Sequence, residues 1–289
     1  MEKLIREKIS SLLSEEEEVL SVEQLGGMTN QNYLVKTTSK PYIVKFFGKG
    51  TEKLINRQDE KYNLELLKDL NLDVKNYLFD IESGIKVNEY IDSATTLDST
   101  SIKTKFEKIA PILQTIHASG KELRGEFAPF EEIKKYESLI EGAIPYANYE
   151  AVRKDVFSLE KRLADLGVDR KPCHIDLVPE NFIESPQGRM YLIDWEYSSM
   201  NDPMWDLAAL FLESEFTNQE EEDFLTYYES DKTPVSREKI RIYKILQDTI
   251  WSLWTVYKEA QGADFGDYGV SRYQRAVDGL TYYGGLDEE

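Results

Sequence analysis

A single cysteine, Cys173, among 289 residues excludes an intramolecular disulfide and any metal cluster built on several thiolates. Long apolar runs are missing too. The stretches 207–212 and 43–47, the second interrupted by Lys45, fall well short of the roughly 20 residues a membrane-spanning helix needs. Basic charge is scarce: 35 Lys and Arg stand against 54 Asp and Glu, a formal net charge of −19. So acidic a surface repels phosphate backbones and anionic lipid, so neither nucleic acid nor membrane insertion is expected. There is no Walker A sequence and no G-x-G-x-x-G, which weakens the P-loop and Rossmann readings. The opening MEKLIREKISSLLSEEEE is charged throughout and lacks the apolar core of a signal peptide, so a cytoplasmic protein is expected. What the chain does have is 41% hydrophobic and 12% aromatic residues, enough for a sizeable core at a length that suits one bilobal enzyme.

The apolar pattern changes period along the chain. Leu4, Ile5, Ile9, Leu12 and Leu13 are spaced for a short amphipathic helix. Strands are then predicted at 22–25, 32–37, 42–47, 77–81 and 85–91, with one helix carrying Leu54 through Leu67 between the third and fourth. Beyond Asp92 the spacing is mainly helical, with helices predicted at 102–116, 131–141, 149–166, 205–214, 219–228, 237–259 and 269–281. Pro111 is expected to kink or break the first of these. A hairpin is predicted within the helical part, 182–183 and 190–193 flanking Ser185-Pro186-Gln187-Gly188. The expectation is an α+β chain with a small antiparallel-sheet lobe, 1–91, and a larger mainly helical lobe, 92–289.

The most informative stretch is Cys173-His174-Ile175-Asp176-Leu177-Val178-Pro179-Glu180-Asn181, followed by Tyr191-Leu192-Ile193-Asp194-Trp195-Glu196. Asp176 and Asn181 are five apart, the spacing of Asp and Asn in the kinase catalytic loop, and Asp194 ends an apolar strand where a metal-binding Asp would sit. Phosphoryl transfer needs hard oxygen ligands for magnesium and a carboxylate that takes the proton of the attacking hydroxyl. Asn181 and Asp194 suit the first task and Asp176 the second, with His174 bracing the loop.

Upstream, Lys45 shares a strand face with Ile43 and Phe47, and a lysine there is costly without a partner. In a kinase-like lobe it would touch the nucleotide phosphates and pair with a helix glutamate, Glu60 first and Glu65 second. Gly26, Gly27, Met28, Thr29 and Asn30 could cover the phosphates, because glycines let backbone N–H groups approach an anion; a Gly-Gly turn is equally ordinary hairpin chemistry. By position alone, adenine would bond to backbone groups of Glu89 and Ile91. His117 and Cys173 read as structural.

These residues resemble the choline kinase family, within the aminoglycoside-phosphotransferase-like small-molecule kinases, and are most similar to its LicA-type bacterial branch. The similarity runs from Gly26-Gly-Met-Thr-Asn-Gln-Asn-Tyr33 through His174–Asn181 to Ile193-Asp-Trp-Glu-Tyr-Ser-Ser-Met-Asn-Asp-Pro-Met-Trp-Asp-Leu-Ala208, with Trp251 and Trp254 beyond. It implies a eukaryotic-protein-kinase-like fold that binds ATP and Mg2+ between lobes. His-Ile-Asp replaces the His-Arg-Asp of protein kinases, Asp-Trp-Glu replaces Asp-Phe-Gly, and no Ala-Pro-Glu follows, which disfavours a protein substrate.

A quaternary ammonium has no N–H to donate, so a site recognises it through aromatic faces and nearby carboxylates. The resemblance carries such a box onto Tyr197, Glu213, Trp251, Trp254 and Tyr268, and implies choline as substrate, with phosphocholine supplied to cell-surface polymers. Spacing alone fits Trp251 and Trp254 equally well to a core stripe with Ile245, Leu246, Ile250 and Leu253. Ethanolamine, thiamine or aminoglycoside kinases on the same fold remain open, as does an inactive choline or nucleotide sensor. Oligomeric state has no signature in the sequence.

Overall fold

Short β-branched and aromatic runs separated by turns become strands, and long stripes of period 3.6 become helices. The computed structural model describes residues 2–26, 30–48 and 50–286. In chain order its elements are α1 (Glu2–Ser10), β1 (Val19–Gln24), β2 (Gln31–Thr37), β3 (Tyr42–Phe46), α2 (Arg57–Leu67), β4 (Asn76–Asp80), β5 (Ile85–Glu89) and β6 (Thr95–Thr96). There follow α3 (Phe106–His117), α4 (Pro129–Leu139), α5 (Tyr149–Leu166), β7 (Lys171–Cys173), β8 (Phe182–Glu184), β9 (Met190–Leu192) and β10 (Ser199–Asn201). The chain continues with α6 (Pro203–Glu213), α7 (Asn218–Tyr228), α8 (Arg237–Glu259) and α9 (Tyr268–Leu286). Among the described residues no helix is long and apolar enough to cross a membrane.

The chain forms two compact units, Met1–Leu97 with Glu180–Tyr197, and Asp98–Pro179 with Ser198–Glu289. In the first, five strands pair antiparallel in the order β1-β2-β3-β5-β4. One face of this sheet buries Val35, Tyr42, Val44, Ile85 and Val87 against Ile5 and Ile9 of α1. Strand alternation sends Lys45 to the opposite face, where it stands directly across from Lys86 of β5. Asn56 caps α2, its side chain accepting the N–H groups of Gln58 and Asp59 at 3.0 and 3.3 Å. The helix therefore starts after Leu54 and Ile55 rather than including them. The expected hairpin is present as β8 and β9, and β6 adds a third strand that the sequence does not announce.

The second unit is built around α8, which packs against α4, α5, α6 and α9. Its apolar residues run almost all the way round, as expected of a helix enclosed by others. Pro111 lies inside α3 without ending it, so the expected break does not occur. The strands β7 and β10, three residues each, pair antiparallel, and β7 leads the chain into the loop around Asp176.

Candidate active site

In the first unit, two buried lysines face each other across β3 and β5. Like charges placed opposite are destabilising unless each has its own carboxylate. Lys86 takes Glu60 at 2.5 Å, and Glu60 also accepts from Arg57 at 2.6 Å. Lys45 takes Asp194 in a short ion pair, with Glu196 at 3.9 Å. The pairing of Lys45 with Glu60 expected from the sequence is thus replaced: the second lysine claims the helix glutamate. Glu65 is exposed and pairs only with Lys68 in the contacts seen, 3.2 Å away. Burial alone would lower the pKa of the Lys45 ammonium, but Asp194 and then Glu196 outweigh it and hold it above its ordinary value. Glu60 would likewise rise on burial, but Lys86 and Arg57 hold its carboxyl below the usual range.

Glu196 is the residue the sequence reading overlooked, although it stands in the Asp-Trp-Glu run. It accepts from Arg57 at 2.9 Å and from the Asn30 amide at 3.1 Å through each carboxylate oxygen. Asn30 in turn accepts the Gly48 N–H at 3.1 Å. Its side chain is therefore engaged with protein, and its part in covering phosphates would be to anchor the loop. Gly27 and Thr29 lie outside the described residues. Asn181 is held beside Asp194 by the Ile193 N–H, which donates to the Asn181 carbonyl at 2.9 Å. Asp194 has φ 68, a left-handed conformation uncommon for a non-glycine residue. Asp73, in the segment between α2 and β4, is pushed up to about 7 by burial, against the opposing pull of Lys86.

At the end of β5, the Glu89 N–H donates to the Lys75 carbonyl at 2.8 Å and the Ile91 carbonyl accepts from Ala94 at 3.3 Å. An adenine contact by these residues would draw on the Glu89 carbonyl and the Ile91 N–H, one acceptor and one donor. Tyr197 closes the short helical turn 195–197, in which the Trp195 indole N–H donates to the Leu192 carbonyl at 2.9 Å.

In the second unit, the residue before Asp176 is strained. Ile175 has φ 77, costly for a β-branched side chain. Asp206, at the start of α6, holds it there: its two carboxylate oxygens accept the N–H groups of His174 and Ile175, each at 2.8 Å. The Trp205 indole N–H donates to the Ile175 carbonyl at 3.0 Å. His117 lies with Nε2 3.1 Å from Asp206 and Nδ1 2.7 Å from the Tyr228 hydroxyl, the structural role expected of it. Potential ligand atoms of His117, Cys173 and Asp206 fall within 4.8 Å of one another. All are committed to protein, Cys173 to the Asn201 carbonyl at 3.5 Å, so the group reads as a brace for the loop.

The remaining candidates also lie in this unit. Trp251 and Trp254 are buried on α8, with Phe127 6.4 Å from the first ring and Phe265 4.9 Å from the second. Among the described residues the buried Trp254 Nε1 finds no hydrogen-bond partner. Tyr268 opens α9 and Glu213 ends α6, with Arg272 paired to Glu213 in a short contact. Burial raises the Tyr268 hydroxyl, with Asp176 and then Asp248 adding to it, so Asp176 acts on this same neighbourhood.

Comparison with known proteins agrees with this geometry. The choline/ethanolamine kinase family matches residues 22–241. The protein LicA of Haemophilus influenzae is 30% identical over 264 residues, 87% of this chain and 77% of that one. A crystal structure of choline kinase LicA from Streptococcus pneumoniae is 87% identical, with a TM-score of 0.94 over 98% of this chain and 99% of that one. A LicA structure in complex with AMP is 88% identical, with a TM-score of 0.92 over 97% and 98%. Spectinomycin phosphotransferase shares the fold at 14% identity and TM-score 0.65. With the family model matching residues 22–241 and the antiparallel sheet followed by a mainly helical part shared with these structures, the chain belongs to the choline/ethanolamine kinase family.

Proposed function

We propose that the chain transfers the γ-phosphoryl group of ATP to the hydroxyl of choline, giving phosphocholine and ADP. The observation that carries this reading is the pairing of the buried Lys45 with the half-buried Asp194, supported by the strained, braced loop that presents Asp176. A relative crystallised with AMP supports a nucleotide as the phosphoryl donor.

Lys45 would give its ammonium to the nucleotide phosphates while Asp194 and Glu196 keep it charged and fixed. The Glu89 carbonyl and the Ile91 N–H offer adenine the acceptor and donor its edge requires. Asp176 accepts the hydroxyl proton as the choline oxygen attacks the γ-phosphorus and the bond to the ADP oxygen breaks. The Asp194 carboxylate and the Asn181 amide oxygen are the hard donors magnesium prefers, and these two would hold it. Bound there, the ion neutralises charge on the phosphates. Tyr197, Trp251, Trp254 and Tyr268 supply aromatic faces for the trimethylammonium, with Glu213 as the nearby carboxylate.

ADP release from ATP and magnesium, measured with choline beside ethanolamine, thiamine and kanamycin, tests the reading. Turnover with choline well above the others is expected. Turnover with another alcohol would keep the kinase and return Trp251 and Trp254 to the core; silence with all four would favour a sensor.

A further inference from the structure

The acidic side of the proposed choline site is already occupied by a cation of the protein itself. Arg272, one turn beyond Tyr268 on α9, is 1% exposed. One of its terminal nitrogens pairs with Glu213, and the other donates to Asp248 at 3.0 Å. Its guanidinium carbon lies 4.7 Å from the centre of the Tyr268 ring, covering one face of that ring. Asp248 is shared with Arg275, which donates to it at 2.6 and 3.0 Å. Two carboxylates thus meet two guanidinium groups. Burial, and then Arg275, pull the Arg272 guanidinium down to about 9, so it is still charged at neutral pH.

This arrangement treats two cations differently. A primary ammonium brings three N–H donors, and each donor that loses water without gaining an acceptor is costly. A trimethylammonium brings none; it needs only a negative field and aromatic surface. Arg272 takes one Glu213 oxygen, which removes that acceptor from any ligand. We propose that Arg272 determines selectivity for choline over ethanolamine by taking a Glu213 oxygen in an ion pair, which removes an acceptor that an ammonium's N–H groups would use and a trimethylammonium would not. The proposal rests on the choline-site reading above and names the residue that sharpens it.

The test has three parts. In the wild-type protein, kcat/KM is measured for ethanolamine and its N-methyl and N,N-dimethyl forms beside choline. It should rise along the series, with choline about tenfold above the dimethyl compound, which keeps one N–H donor. In Arg272→Met, Glu213 is released, and ethanolamine should gain about tenfold relative to choline. In Glu213→Ala, the ratio should stay as in wild type, because the oxygen that Arg272 holds is already withheld from both substrates. A flat methyl series, a parallel fall of both substrates in Arg272→Met, or a loss confined to ethanolamine in Glu213→Ala would each overturn the proposal. If Arg272→Met does not fold, the other two parts decide. A wild-type protein that phosphorylates none of the four amines would instead refute the choline-site reading itself.

Discussion

Ile175 shows what the loop costs and what holds it. A β-branched residue at φ 77 persists only where its surroundings over-determine it, and here both its N–H and its carbonyl are fixed by neighbouring α6 side chains. Asp206→Asn tests this, because its amide keeps one acceptor oxygen but would turn an NH2 toward the other of the two backbone N–H groups. Stability should fall by about 3 kcal/mol, as when a buried charged acceptor is lost. Turnover should fall with it while ATP affinity holds. Unfolding curves and KM for ATP check both, and full turnover in a destabilised variant would remove Asp206 from the positioning of Asp176. This role was not legible in the sequence: Asp206 lies 32 residues from His174, and nothing in spacing says that one carboxylate caps both N–H groups. Asp176, Asn181 and Asp194 were legible as candidates, because fixed local spacing carries their signal.

Between elements, what decides is which side chains the sheet register brings together. Reading β3 alone makes Glu60 the partner of Lys45; only the pairing of Lys45 with Lys86 shows that two cations compete for it. A sign follows for pH. The Glu60 carboxyl lies below its unfolded value, so its contribution to stability is present at neutral pH and is lost as pH falls through the folded value. Glu60→Gln should therefore melt well below wild type at pH 7, and the gap should narrow below about pH 4.5. A gap that widens on acidification would contradict the pairing. Long helices were legible almost to the residue, as with α5 and α8, whereas β6, β7 and β10 were not. Two or three residues carry no period; β8 and β9 were legible through the Ser185–Gly188 turn between them.

The close approach of α9 to α8 gives another test at this scale. A Cβ added at Gly269 would stand 2.8 Å from Thr255 Cβ and Cγ2 and 2.8 Å from the Tyr146 hydroxyl. The Cβ of Thr255 is fixed to its backbone, so α9 must shift and take its neighbour Tyr268 with it. Gly269→Ala should cost about 1–3 kcal/mol of stability, and the KM for choline should rise severalfold with KM for ATP unchanged. Steady-state kinetics with each substrate varied in turn checks this; equal changes in both KM values would detach α9 from choline binding.

Over the whole molecule, the division of labour between the units follows the chemistry. The first holds Lys45, Asn181 and Asp194, proposed for the nucleotide and its metal, and the second holds Asp176 and the aromatic and acidic residues proposed for choline, except Tyr197. The net charge of −19 fits a small cationic substrate and disfavours polyanions, but it does not choose among amines. The central claim is that Asp176 takes the proton of the choline hydroxyl. Its most direct test is phosphocholine formation from γ-labelled ATP by Asp176→Ala, measured beside ATP binding by the same protein. We expect turnover to fall at least about a hundredfold, the lower range for loss of a general base, with ATP affinity nearly unchanged. Retained turnover with lost ATP affinity would contradict the account.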